Sequence, residues 1–249
     1  MGGRRSKKSA LELSDDTIPA WQRQSMERSL QFARVRAHQR SDRFVAAATE
    51  LMQEQGSPEF TVQDVVERSG MSIRTFYKYF ASKEDLLIAV SETVVAREAV
   101  PRLRALVDAH ADPLRRLKAF IEGLVDLSTG TTKPVARTLA SYQNRLAESR
   151  PADLALAMKP QLDLLAELIA DVARTQPLRP DLSVERAARL THYLVLAAVH
   201  DRLLGPDGVA EIPAQTIWQF CISGMGLGVD DSRARSTNSS ARMRASAAD

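Results

Sequence analysis

One cysteine and four histidines in 249 residues leave no material for a disulfide framework, a zinc finger or a multi-cysteine cluster. Glycine and proline, 11 of each, are too few for a low-complexity or collagen-like chain. Long apolar runs are missing as well. The longest, Tyr193 to Val199, has seven residues, against the roughly 20 that span a bilayer. The opening MGGRRSKKSA is polar and basic, unlike a secretory signal, so a cytoplasmic location and no membrane partner are expected. No nucleophile–base set, phosphate-binding motif or metal-ligand spacing stands out, so no catalytic residue, metal ligand or cofactor is assigned. His192 and His200 are eight apart with no companion, and His110 between Asp108 and Asp112 reads as a loop histidine. Gly224-x-Gly226-x-Gly228 follows a helical pattern rather than a strand, so it reads as a helix terminus and not a dinucleotide fingerprint.

What the chain does have is apolar material for a core, 44% of residues, beside 26% charged. Its net charge of +3 is unevenly spread. Residues 1–37 hold eight Lys/Arg against four Asp/Glu, whereas residues 38–98 hold seven against ten. Yet from Arg68 to Lys83 there are four basic residues and no acidic one. A small cationic surface on a nearly neutral body suits a focused phosphate contact.

Apolar residues recur with the 3.6-residue period, and no convincing alternating strand pattern appears, so the fold is read as all-α. A first helix is expected from about Ser41 to Gln55, stopped by Gly56 and Pro58. Thr61 with Asp64 caps a short helix that Ser69-Gly70 breaks, and another follows from about Ser72 to Phe80. Ser82 caps a longer helix with acids in its first turn. Asp112-Pro113 starts a helix through Leu127. Further helices are expected over 134–148, over 152–174 with a possible kink at Pro160, from Ser183 to about Leu204, and from Pro213 to about Ser223. The division expected is a basic, disordered arm over 1–37, a DNA-binding domain over 38–90, a helical body over 91–229 and a disordered tail over 230–249. Within the arm, Trp21 to Phe32 could form a transient helix. Its Arg4, Arg5, Lys7 and Lys8 could track DNA or remain solvated.

Helix, three-residue break and short helix over 61–80 is helix-turn-helix geometry. Winding the second helix puts Phe76 and Phe80 on one face, flanked by Ile73 and Tyr79. Arg74 and Lys78 then project oppositely, with Thr75 and Tyr77 at the margins. An arginine there can grip guanine O6/N7, while Ser72, Thr75 and Lys83 suit phosphate oxygens. The competing reading is an ordinary core hairpin with a solvated basic face.

The stretch from Thr61 to Leu86, TVQDVVERSGMSIRTFYKYFASKEDL, resembles the DNA-binding signature of TetR-family transcriptional regulators. Close resemblance covers about residues 40–90. It departs where many members have glycine and this chain has Arg74, which adds a side chain able to read bases. The resemblance implies phosphate contacts from Thr61, Ser72, Thr75, Tyr79 and Lys83. It implies base-edge contacts from Arg74 and Tyr77, with Ile73 or Gln63 as further candidates and Lys78 on the same face. Gly70 would hold the turn at positive φ.

The resemblance also implies a body that dimerises and encloses a small-molecule effector. Leu190, Leu194, Ala197 and Ala198, together with Ile217, Phe220, Cys221 and Gly224, are the candidate homodimer faces of the last two helices; filling of the monomer's own core is the alternative. Phe120, Leu124, Leu127, Tyr142 and Leu146, with Leu165, Ile169, His192 and Tyr193, are candidate effector-lining residues, and Asn144 a polar handle. Each could equally be plain core. The expected function is a homodimeric, sequence-specific DNA-binding regulator, a repressor released from a double-stranded operator by a hydrophobic effector. The rivals are an effector-independent architectural DNA-binding protein and an all-α enzyme with a DNA-binding head.

Overall fold

The computed structural model describes residues 19–57, 59–129, 133–205 and 210–227. Among them only helices and their connections occur, in the order α1 Ala20–Gln55, α2 Val62–Ser69, α3 Ile73–Tyr79, α4 Lys83–Thr93, a π-helical segment Val94–Ala99, α5 Val100–Asp108, α6 Pro113–Asp126, α7 Lys133–Ser149, α8 Pro151–Ala173, α9 Val184–Leu204 and α10 Ala214–Met225. The all-α expectation holds. Five helix starts are set by side chains the sequence names. Thr61 and Asp64 form a reciprocal capping box, and Ser72, Ser82, Asp112 and Ser183 each accept the backbone N–H three residues on. Gly56 and Gly70 close α1 and α2 at φ 61° and 63°, the left-handed region in which a Cβ is strained.

One expectation fails. Helix α1 begins at Ala20, some twenty residues before the expected Ser41, so residues 20–37 are helical and continuous with the segment over 41–55. Among the described residues nothing before Phe44 is buried, and Trp21, Leu30 and Phe32 stand more than half exposed. In that stretch no Gly or Pro interrupts the chain after Pro19, and Ala, Gln, Arg, Glu and Leu recur through it, with no buried face to announce the helix. Residues 1–18, with the four basic residues of the arm, and the tail over 228–249 lie outside the described residues, as does Gly228. Gly226, at φ 77°, is the C-terminal cap of α10.

The longer helix expected after Ser82 is observed, and the chain stays helical from Lys83 to Asp108, across residues 90 and 91. Pro101 would clash with the carbonyl four residues back in a regular helix. Just before it, six residues wind as a π-helix, and the Val100 N–H reaches the Val95 carbonyl. Such a bulge relieves the conflict at the cost of a wider turn.

Burial divides the molecule into two apolar cores. In the first, Phe44 meets Phe76 edge-on with centroids 5.4 Å apart and Phe80 at 6.2 Å, with Met52, Phe60, Val65 and Leu86 around them. Val135 and Leu146 of α7 also join this core, so the body's α7 is packed onto the head. The second core lies among α5, α6, α8, α9 and α10, around Leu103, Phe120, Leu165, Ile169, Trp218 and Met225. Arg116 of α6 and Asp171 of α8, 2.9 Å apart, tie its rim. No helix of the described residues is long and apolar enough to cross a membrane.

Candidate nucleic-acid interface and ligand cavity

Helix α3 has one inward and one outward side. Phe76 is fully buried and Phe80 nearly so, while Ile73, Arg74, Tyr77 and Lys78 are exposed and Thr75 and Tyr79 half-buried. Ile73 therefore lies on the outer surface rather than beside the phenylalanines. Ser72 Oγ lies 2.8 Å from Thr75 Oγ1 and accepts the Thr75 N–H. These hydroxyls at the start of α3 are thus held in place by each other. Thr61 donates its own N–H to Asp64 Oδ2 at 2.6 Å, a bond that also holds the Asp64 carboxyl below the usual carboxylate range. Gln63 is exposed but occupied, donating to Glu67 Oε1 at 2.9 Å.

Of the four cations between Arg68 and Lys83, the structure commits two. Arg68 forms a two-pronged pair with Glu54, at 2.8 and 2.7 Å, with Glu50 beside it. Lys83 does not point outward as expected. Its ammonium donates to the Phe60 carbonyl and stands 4.3 Å from the Phe60 ring centroid and 5.4 Å from that of Tyr142. Burial lowers its pKa. It serves as a clamp joining the connection before α2 to α4 and α7, in place of the outward-facing cation expected for a phosphate contact. Arg74 and Lys78 remain, exposed on one face and aimed away from the core. Behind them, Arg43 donates to the Ser69 carbonyl at 2.8 Å, and Arg150 pairs with both Asp85 and, at 2.6 Å, Asp153. The Arg150 guanidinium holds the Asp85 carboxyl low, so the start of α4 is tied to the α7–α8 corner.

The effector-lining expectation is met in part. A cavity of about 240 Å³ lies beside the π-helical segment, between α1, α4, α6, α7, α8 and α9. Leu124, Leu127 and Leu146 line it, as expected. Phe120, Leu165 and Ile169 instead lie wholly inside the second core. Tyr142 packs against the head beside Lys83. His192, Tyr193 and Asn144 line an adjoining, wider groove of about 740 Å³ between α7, α8 and α9, which shares Leu154, Met158 and Leu196 with the cavity. In that groove Tyr193 is more than half exposed, whereas His192 is buried with Nε2 unpartnered and its pKa pushed down to about 4 by burial. The periodicity missed the cavity's contributions from Thr49 and Gln53 of α1, from Ser91 of α4, from the π segment and from Gln161. Only the break in helical winding brings that segment to one wall, and Pro101 is its sole sequence signal.

The expected dimer faces also divide. Ile217 and Cys221 are buried in the chain's own second core, with burial raising the Cys221 thiol to about 11. Leu194 and Ala198 are half-buried against that core. Leu190, at 62% exposure, Phe220, at 69%, Ala197 and Gly224 face outward. The correction follows from α10 packing one side on α6 and α9: the stripe that looked single from sequence straddles a core edge and an outer edge. Among the described residues no group of three or more His, Cys, Asp or Glu could hold a metal ion.

A buried aromatic heel, a turn closed by Gly70 and an outward helix bearing Arg74, Tyr77 and Lys78 make a helix-turn-helix motif with an attached helical body. Residues 44–90 match the family model described as bacterial regulatory proteins, tetR family. The similarity to that family lies in these residues, which carry α2 and α3. Among curated relatives, the HTH-type transcriptional regulator EthR of Mycolicibacterium smegmatis is 31% identical over 90 residues, 36% of this chain and 42% of EthR. BetI of Stenotrophomonas maltophilia, also an HTH-type transcriptional regulator, is 32% identical over 121 residues, 46% of this chain and 61% of BetI. The matched stretches thus span less than two thirds of either relative. The whole fold is similar to that of RolR in complex with resorcinol, with TM-score 0.63 and 18% identity, covering 80% of this chain and 93% of that one. It is also similar to Thermus thermophilus FadR, a TetR-family repressor in complex with lauroyl-CoA, with TM-score 0.59 and 22% identity over 74% and 94%.

Proposed function

We propose that the protein is a homodimeric transcriptional repressor, with residues 38–90 as the DNA-reading head and 91–229 as the effector-binding and dimerising body. The observation that carries this reading is the division of α3 into a buried Phe76 side and a solvent side where Arg74 and Lys78 meet no acid. Arg74 and Tyr77 would meet base edges, with Ile73 or Gln63 beside them. Thr61, Ser72, Thr75, Tyr79 and Lys78 would position the phosphates. Phe220, Leu190 and Ala197 would pair α9 and α10 with their copies, placing two heads about 34–36 Å apart to read successive major grooves.

The cavity supports the regulatory half. It is bounded by Thr49 and Gln53 of α1 and by Ser91 of α4, two helices whose other residues form the head's core. An effector seated there would shift the helix that starts at Ser82, and with it the separation of the heads. Its response would equal its differential affinity for the two arrangements. That RolR is seen with resorcinol and FadR with lauroyl-CoA is consistent with an effector site in this fold.

The test is a gel-shift titration on a duplex recovered by selection from random sequence. Arg74→Ala should lose about 1–3 kcal/mol on that duplex and far less on a scrambled one. Equal loss on both would reduce Arg74 to a backbone contact. Failure to select any duplex at low salt would remove the reading altogether.

A further inference from the structure

The cavity's walls are mainly aliphatic, including Val94, Val95, Leu124, Leu139 and Leu146. Three hydroxyls reach it, and each already donates to a carbonyl of its own helix or turn. Thr49 bonds Val45 at 2.9 Å, Ser91 bonds Leu87 at 2.9 Å, and Ser128 bonds Val125 at 2.5 Å. Gln161 of α8 differs. It is 3% exposed, and its Nε2 meets no acceptor among the described residues. A buried amide left without an acceptor is costly, so such a group points to a molecule that completes it. No charged wall residue is buried: Glu98 is half-buried and Arg102 exposed at the rim.

Resting on the reading that this cavity is the effector site, we propose that its ligand is a compact, uncharged molecule whose single carbonyl or hydroxyl oxygen accepts a hydrogen bond from Gln161 Nε2. The volume sets the size of the part that the walls hold. A dry cavity of about 150 Å³ accommodates benzene, about 25 Å³ per non-hydrogen atom, so the half-open space of about 240 Å³ holds roughly ten such atoms between its walls. Charge follows from the wall. A carboxylate or phosphate seated beside Gln161 would lie against aliphatic side chains with no buried cation to pair it, and would forfeit hydration. The oxygen fixes orientation, and the aliphatic wall supplies most of the affinity.

Three probes of nearly one shape separate these contributions: acetophenone, cumene, which replaces the carbonyl by a methyl-bearing carbon, and benzoate, which replaces the methyl by a charged oxygen. Each would be titrated calorimetrically into the full-length protein. Acetophenone should bind about tenfold tighter than cumene, the worth of one hydrogen bond to a desolvated donor, and benzoate weakest of all. Gln161→Met keeps the length of the side chain and removes the amide. It should erase the preference for acetophenone over cumene while melting at or above the wild-type temperature, which separates lost recognition from lost fold. Cumene binding as tightly as acetophenone, benzoate binding best, no binding by any of the three, or an unchanged preference in Gln161→Met would each overturn the proposal. The regulatory reading fails separately. If acetophenone binds with the expected preference yet leaves affinity for the selected duplex unchanged, the ligand class stands and the coupling to DNA falls.

Discussion

Replacing His192 by leucine probes the body where burial makes its largest electrostatic claim. The imidazole is 4% exposed, its Nε2 has no partner among the described residues, and burial alone lowers its pKa from 6.5 to about 4. In the unfolded chain the ring is hydrated and protonates near its ordinary value. Between those two values the unfolded state holds more protons than the folded one. The titration of His192 therefore takes nothing from stability well above about pH 6.5, and becomes a growing penalty as pH falls toward 4. At about 1.4 kcal/mol per unit, acidification from about pH 8 to about pH 5 should cost the wild type about 2 kcal/mol through this group. His192→Leu removes the titration and the unpartnered Nε2 without orphaning a bonded partner, so near pH 8 the leucine protein should be at least as stable as the wild type, by a constant offset. Urea unfolding at fixed protein concentration across that interval measures both profiles, and titrations shared by the two proteins cancel in the difference. A gap that widens by about 2 kcal/mol in favour of leucine on acidification is the expected result. Parallel profiles would refute the burial argument for this side chain.

Other perturbations follow from the head. Phe76→Ala empties the centre of the first core and should cost about 3–5 kcal/mol in thermal or denaturant unfolding, with loss of DNA binding as a consequence. Gly70→Ala forces a Cβ to φ 63° and should destabilise by about 1 kcal/mol, while Gly70→Asn, a residue that tolerates that region, should cost less. Asp85→Asn removes the pair with Arg150 and should cost about 1 kcal/mol near neutral pH. Because that pair depresses the Asp85 pKa, the wild-type advantage should be whole above about pH 4 and vanish as pH falls through the lowered value, measured as convergence of the two unfolding midpoints in acid.

The local rules that make helices are written in single side chains, and those positions were legible. Thr61, Ser72, Ser82, Asp112 and Ser183 cap where their types say they should, because a cap needs only a hydroxyl or carboxylate and the next turn. Phe76 and Phe80 turn inward because their spacing places them on one side of α3. What periodicity could not give was the fate of side chains whose partner comes from far along the chain. Lys83 looks like an exposed cation until Phe60 and Tyr142 are brought beside it, and Arg68 until Glu54 faces it. Ile217 and Cys221 share a stripe with Phe220, yet only the packing of α10 on α6 decides that they are inside and Phe220 outside. The cavity depends on tertiary structure in the same way. Pro101 announces trouble in a helix, but the π-helical turn that answers it becomes a wall only where α1, α7 and α8 stop short of filling the space. Short-range hydrogen bonding and helical period belong to the sequence; burial and empty volume belong to the way distant surfaces meet.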